Sequence, residues 1–380
     1  MDLQYDSAQN ILRETAERFL AGKYDYRAFR KIADSEQGHA PEIWKAFADM
    51  GWLGMPFSED DGGLGGGAVE VAILMECFGK ALVIEPYIAS VILGGGLIAA
   101  LGTAAQKSEL LAPLIEGKLK LAFAHDNRAP TKAILRGNDY VIAGAKSTVL
   151  SAPMADKLLV SATLKDGATA VFVVPAKSAG LVMRPYRSVD GNRMADIELT
   201  DVTVPTSALL GSPKDASETI NAVIDRAIAA ISSDAVGAIS EMVKQTVEYT
   251  KTRVQFGQPL SKFQLLAHRM VDMRVAEEEA RASCLLATLS LDSAADRRSR
   301  AVSGAKAKIG RNSRFVAQHA IQTHGAIGTT EELPLGAYAK RLLAYEILFG
   351  STREHLRRYG KLIADPARAS AGLLLEPASA

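Results

Sequence analysis

Arg253 to Gln264 reads RVQFGQPLSKFQ, and the fold turns on how this stretch is read. It follows a long segment of helical periodicity and sets a fixed positive charge, an aromatic ring and an amide around a turn at Gly257 and Pro259. Arginine is permanently charged and can grip two phosphate oxygens at once. Phe256 offers a face to a flat ring, and Gln264 both donates and accepts hydrogen bonds. The set suits a pyrophosphate-linked aromatic cofactor. On the residues alone it suits a helix–turn–helix corner with one exposed arginine equally well.

Around this turn the periodicity divides the chain. Helical spacing over 213–364 predicts four long segments, near 214–252, 262–291, 297–324 and 332–362, with Gly325 after His324 as a C-cap glycine. Residues 1–118 also read as helices: Ile11, Leu12, Ala16, Phe19 and Leu20 recur at helical intervals, as do Ile43, Trp44, Phe47 and Met50. Between them, over 119–212, short β-branched runs at 158–163, 170–175, 182–186 and 197–204 predict a small domain of antiparallel strands. Its turns fall at Asp166-Gly167 and Asp190-Gly191. The Ala-, Pro- and Ser-rich stretch 365–380 reads as a loose tail. The expected class is therefore mainly α with a central β domain.

Composition removes several functions. With 44 Lys and Arg against 43 Asp and Glu, the net charge is +1, which gives no footprint for a nucleic acid. The two cysteines, Cys77 and Cys284, form neither a metal spacing nor a disulfide framework and read as small core residues of a reducing cytoplasm. The most apolar stretch, 81–101, is broken by Glu85, Pro86 and three glycines, so no membrane span is expected. The glycine-rich loop 56–67 lacks the Lys-Ser/Thr ending of a phosphate loop and follows no strand, and reads as a structural connection. Asp296 to Lys308 is a basic run, read as the solvated start of a helix. Arg353, Arg357, Arg358 and Lys361 are expected near the end of the last helix, where positive charge suits the helix dipole.

The pattern R-x-x-F-G-x-x-L-x-x-x-Q from Arg253 resembles the flavin-clamping turn of acyl-CoA dehydrogenases. WKAFADMGWLGMPFSEDDGGLGGG, beginning at Trp44, is similar to that family's N-terminal signature. Gln322 to Gly328 is similar to its Q-x-x-G-G-x-G run, with Ala326 in place of the second glycine. The resemblance implies the family fold: an N-terminal helical domain (1–118), a middle β domain (119–212) and a C-terminal four-helix bundle (213–364). It implies FAD as cofactor, with Arg253, Phe256, Gln264, Gln322 and Gly325 reaching across a dimer interface to the adenine-diphosphate half of a neighbour's FAD. For His324, which lacks a nearby carboxylate or cysteine in a ligand pattern, a structural role is expected.

The same resemblance exposes what is missing. The family's α-proton abstraction needs a carboxylate base in a dry pocket. At the Y-E-G-T position this chain has Leu348-Phe349-Gly350-Ser351, with Phe349 where the glutamate belongs. Glu346 lies three residues earlier, about one helical turn away. At the alternative base position stands Ala227, and Asp225, two residues before it, is turned about 200° from the required face. The flavin-ring threonines are replaced by Ala124 and Leu150. His125 with Asp126 reads as structural rather than an acid–base pair, because adjacent side chains in an extended segment point oppositely.

Clamp retained and base lost resembles the small, non-catalytic subunit of heteromeric acyl-CoA dehydrogenases of the pimeloyl-CoA or steroid-side-chain types. This implies a homologous catalytic partner subunit, an acyl-CoA substrate, FAD shared with that partner, a heterotetramer and, for the chain alone, a homodimer. Two other readings remain. One is a homomeric flavoenzyme of the same fold with Glu346 or Asp225 as a relocated base or a different flavin reaction. The other is a cofactor-free structural subunit.

Overall fold

The computed structural model describes residues 4–125 and 130–364, so Asp126 and the tail 365–380 lie outside the described residues. The chain divides into two compact units, Met1–Ala230 and Ile231–Ala380.

The first unit begins with helices. α1 (Ser7–Lys23) is started by a capping box in which Asp6 accepts from the Gln9 N–H at 2.8 Å and Gln9 accepts from the Asp6 N–H at 3.1 Å. α2 (Tyr26–Asp34), α3 (Pro41–Asp49) and α4 (Ala68–Ala81) follow. A buried aromatic cluster holds them: Phe47 stacks on Phe78 at 5.1 Å and packs on Trp52 at 5.0 Å, and the Tyr87 hydroxyl donates to the Trp52 carbonyl. Ile11, one of the periodic apolar residues, is instead 65% exposed.

The loop Pro56 to Gly67 closes on itself. A Cβ at Gly63 would lie 2.3 Å from the Phe57 carbonyl oxygen, so backbone occupies the space a side chain needs. A π-helix (Ile88–Gly95) leads into α5 (Gly96–Leu101) and α6 (Ala104–Ile115). Ser90 Oγ in the π-helix both donates to the Leu121 carbonyl and accepts the Leu121 N–H.

The strands are β1 (Leu121–Ala124), β2 (Lys132–Arg136), β3 (Asp139–Leu150), β4 (Lys157–Thr163), β5 (Thr169–Pro175), β6 (Leu181–Arg187) and β7 (Arg193–Pro205). Their order is β1-β4-β2-β3-β7-β6, with β5 paired to β4. Antiparallel pairing joins β2–β3, β3–β7, β4–β5 and β6–β7, as expected, whereas β1 and β2 each pair with β4 in parallel. β4 comes back alongside β1 only after the chain has run through β2 and β3, a connection long enough for parallel pairing. Ile142, Leu158, Val160, Phe172, Ile197 and Val202 fill the interior.

α7 (Ser217–Thr252) passes from the first unit into the second. A two-strand hairpin, β8 (Val254–Gln255) and β9 (Gln258–Pro259), precedes α8 (Gln264–Leu289) and α9 (Ala295–His324). The fourth expected segment is two helices, α10 (Leu335–Ile347) and α11 (Thr352–Ala364). The break falls where Phe349 (φ 57°) and Gly350 (φ 105°) leave the right-handed region. Arg341 of α10 forms a two-pronged ion pair with Asp234 of α7, both contacts 3.0 Å.

Two charge expectations are corrected. Lys306, inside the basic run expected to be solvated, is 0% exposed. Its ammonium donates to the Tyr345 and Glu346 carbonyls at the end of α10, where a cation satisfies orphan acceptors. Arg353 sits in the first turn of α11, not near its end, because the helix starts at Thr352.

Among the described residues no helix is long and apolar enough to cross a membrane.

Candidate functional site

α7 ends at Thr252, and the Arg253 N–H still donates to the Tyr249 carbonyl at 2.9 Å. The Arg253 carbonyl then accepts from the Leu260 N–H at 2.9 Å, closing the hairpin. Its two loop residues, Phe256 (φ 53°) and Gly257 (φ 80°), are both left-handed, the geometry of a type I′ turn. Phe256 is 90% exposed; its only ring contact among the described residues is edge-on to Phe263 at 6.2 Å. The exposed guanidinium of Arg253 has no ion pair among the described residues. Gln264, also exposed, opens α8, whose N-terminus carries no side-chain cap and so favours an anion.

The second run lies at the end of α9. Gln322 is exposed, and Gly325 takes φ 66° with its N–H on the Ile321 carbonyl. A Cβ at Gly325 would meet nothing within 4 Å, so the open backbone there is available to a ligand. Tyr249 joins the two runs: its ring stacks on His324 at 4.3 Å and its hydroxyl donates to the His324 carbonyl at 3.4 Å. His324 is buried and donates from Nδ1 to the Ala320 carbonyl, and burial lowers its pKa. It is an internal strut.

The base positions look different. Phe349 stands at the α10–α11 corner with its carbonyl accepting from His355 Nε2 at 2.9 Å. The Glu346 carboxylate accepts from the Thr352 N–H at 2.9 Å and from the Thr352 hydroxyl at 2.6 Å, capping α11. Ala227 and Asp225 are both 0% exposed, while Arg226 between them faces outward.

At the segments expected to face the flavin ring, Ala124 is fully buried at the end of β1 and Leu150 ends β3 half-buried. The Thr148 N–H is taken by Asp196 at 2.9 Å. His125 stacks on Phe123 and lies 2.9 Å from the Ser161 hydroxyl, to which buried Lys146 also donates at 3.2 Å. Asp126, the other half of the expected pair, is outside the described residues.

Sequence reasoning missed Tyr249 and Lys306. Tyr249 could have been found: it lies one helical turn before Arg253, on the same face. The burial of Lys306 had no such signal.

The N-terminal domain model of the acyl-CoA dehydrogenase family matches residues 6–118 and its C-terminal domain model matches residues 219–363. A probable acyl-CoA dehydrogenase of Bacillus subtilis, YngJ, is 31% identical over 305 residues, covering 76% of this chain and 80% of the relative. The chain belongs to the acyl-CoA dehydrogenase family. This acyl-CoA dehydrogenase-family oxidoreductase has the family's helix–sheet–helix fold. The Tcur3481-Tcur3483 steroid acyl-CoA dehydrogenase variant superposes with a TM-score of 0.86 at 26% identity, over 96% of this chain and 99% of that one. The ChsE4-ChsE5 complex from Mycobacterium tuberculosis superposes at 0.89 with 24% identity, over 96% and 99%.

Proposed function

We propose that this chain is the non-catalytic subunit of a heteromeric acyl-CoA dehydrogenase, supplying the adenine-diphosphate clamp for FAD that a homologous catalytic subunit uses. One observation carries the reading. Glu346, the nearest carboxylate in sequence to Phe349, which the sequence resemblance puts at the base position, is committed to capping α11.

The clamp residues fit the diphosphate and adenine half of FAD. Arg253 is an exposed cation without an ion pair among the described residues, the α8 N-terminus favours anions, and the Gly325 backbone is open. In this reading Arg253 would hold the pyrophosphate, Phe256 would offer its ring to the cofactor's flat ring, and Gln264 and Gln322 would supply polar contacts. FAD supplies the two-electron acceptor for the β-hydride. The ring-facing segments of this chain do not fit in the same way, since Ala124 and Leu150 offer no side-chain donor.

All five clamp residues except Gly325 present side chains outward, which suits service to a neighbouring subunit. The paired names of the two structural relatives, one described as a complex and the other as a steroid enzyme, support a two-chain assembly and a bulky acyl-CoA substrate. Buried Cys77 and Cys284, both free thiols, are compatible with a reducing cytoplasm.

The test is flavin absorbance of the chain purified alone and after co-expression with its partner dehydrogenase. A colourless chain that gives a yellow, active complex, from which Arg253→Ala removes FAD, is the expected result. A chain that is yellow and active alone overturns the proposal.

A further inference from the structure

A trough runs along α9 where that helix meets α8 and α11. Arg297, Arg300, Gly304, Lys308 and Arg311 recur every three or four residues and so share one side of the helix. Gly304 opens the floor: a Cβ there would lie 3.3 Å from the Tyr359 ring. Leu286 of α8 and Leu356 of α11 complete an apolar lining. Leu286 is 59% exposed and Leu356 40%, so this lining faces water.

The charge is one-sided. Lys308 pairs with Glu279 at 2.7 Å, whereas Arg297, Arg300 and Arg311 have no ion pair among the described residues. No carboxylate lines the trough among the described residues. Arg297 and Arg300 lie at one end and Arg311 at the other, roughly 16 Å from Arg300 along the helix axis at 1.5 Å per residue. The trough encloses about 410 Å³, the size of a small-molecule site with an apolar lining and a few convergent polar groups.

We propose that this trough binds an amphipathic anion, its carboxylate or phosphate head held by the arginines and its apolar chain lying over Leu286, Leu356 and Tyr359. An arginine presents a fork of donors that matches either head group. The site shares no residue with the Arg253 clamp, so its ligand acts as an effector of the C-terminal helices and does not depend on the flavin reading.

Isothermal titration of the full chain with decanoate, decyl phosphate and decanol tests this. One equivalent of decanoate or decyl phosphate binds per chain, and the tighter of the two identifies the head group. Decanol binds at least tenfold more weakly. Arg300→Glu and Leu286→Glu, both at exposed or half-exposed positions, each weaken the anion at least tenfold while thermal melting stays that of the parent. The proposal is overturned if neither anion binds, if decanol matches them, or if both variants bind as the parent does. Failure to bind together with a change of mass by light scattering in Arg300→Glu assigns the trough to a protein contact instead.

Discussion

Glu346 and Thr352 are joined twice across the corner between α10 and α11, once through the Thr352 amide at 2.9 Å and once through its hydroxyl at 2.6 Å. A carboxylate so engaged acts as a helix cap. Glu346→Gln keeps an acceptor and leaves the activity of the assembled enzyme within about twofold; Glu346→Ala lowers stability by about 1–2 kcal/mol in denaturant titration. A thousandfold loss of turnover in the folded Gln variant would identify Glu346 as the base.

Phe256 holds a left-handed φ of 53° while 90% exposed. A bulky residue in that region costs about 1–2 kcal/mol, and here little packing offsets it. Phe256→Gly is therefore expected to raise or preserve the melting temperature while lowering the FAD content of the complex. Equal FAD retention would remove Phe256 from the clamp.

Burial raises the Glu85 carboxyl to about 8, partly opposed by the Ala40 N–H it accepts. A raised acid holds its proton longer in the folded state than in the unfolded one. The stability this gives is full below the ordinary carboxylate range and is lost as pH rises through about 8. Melting temperature should fall from about pH 7 to pH 8 and level off above, a window above the lowered His39 titration and below that of Lys306, and Glu85→Gln should flatten that fall. Parallel profiles for parent and variant would refute the assignment.

Lys306 is buried with its ammonium on two carbonyls of α10, and desolvation lowers it to about 8. Lys306→Met leaves those carbonyls without their donor and is expected to cost about 1–3 kcal/mol. Amide exchange should accelerate over Leu348 to Ser351. The stability gap between parent and variant should widen above pH 8, because a lysine whose folded pKa is lowered adds stability as pH rises toward its unfolded value.

What was readable from sequence follows from what sequence encodes locally. Helical period marked α1, α3 and the long C-terminal helices, and β-branched runs marked β4 to β7, because each element carries its own repeat. Leu121-Ala122-Phe123-Ala124 was missed as a strand because four successive buried apolar residues show no alternation. Its parallel pairing with β4 depends on a partner 36 residues away. The break at Phe349 was read through although Gly350 follows it: the first residue to turn left-handed is a phenylalanine, and helical spacing resumes directly afterwards. At the candidate site, the turn at Gly257 and the helix end at Gly325 could be named in advance because turn chemistry is local. The Tyr249–His324 stack and the Glu346–Thr352 cap are contacts between helix ends, and no pattern in a single strand of text specifies them.

An outward-facing Arg253 has a thermodynamic consequence. On the split-site reading, FAD and the partner subunit bind to linked sites, so each must strengthen the other's affinity by the same factor. Flavin supply would then set how much of this chain is assembled, and dilution would release cofactor and partner together.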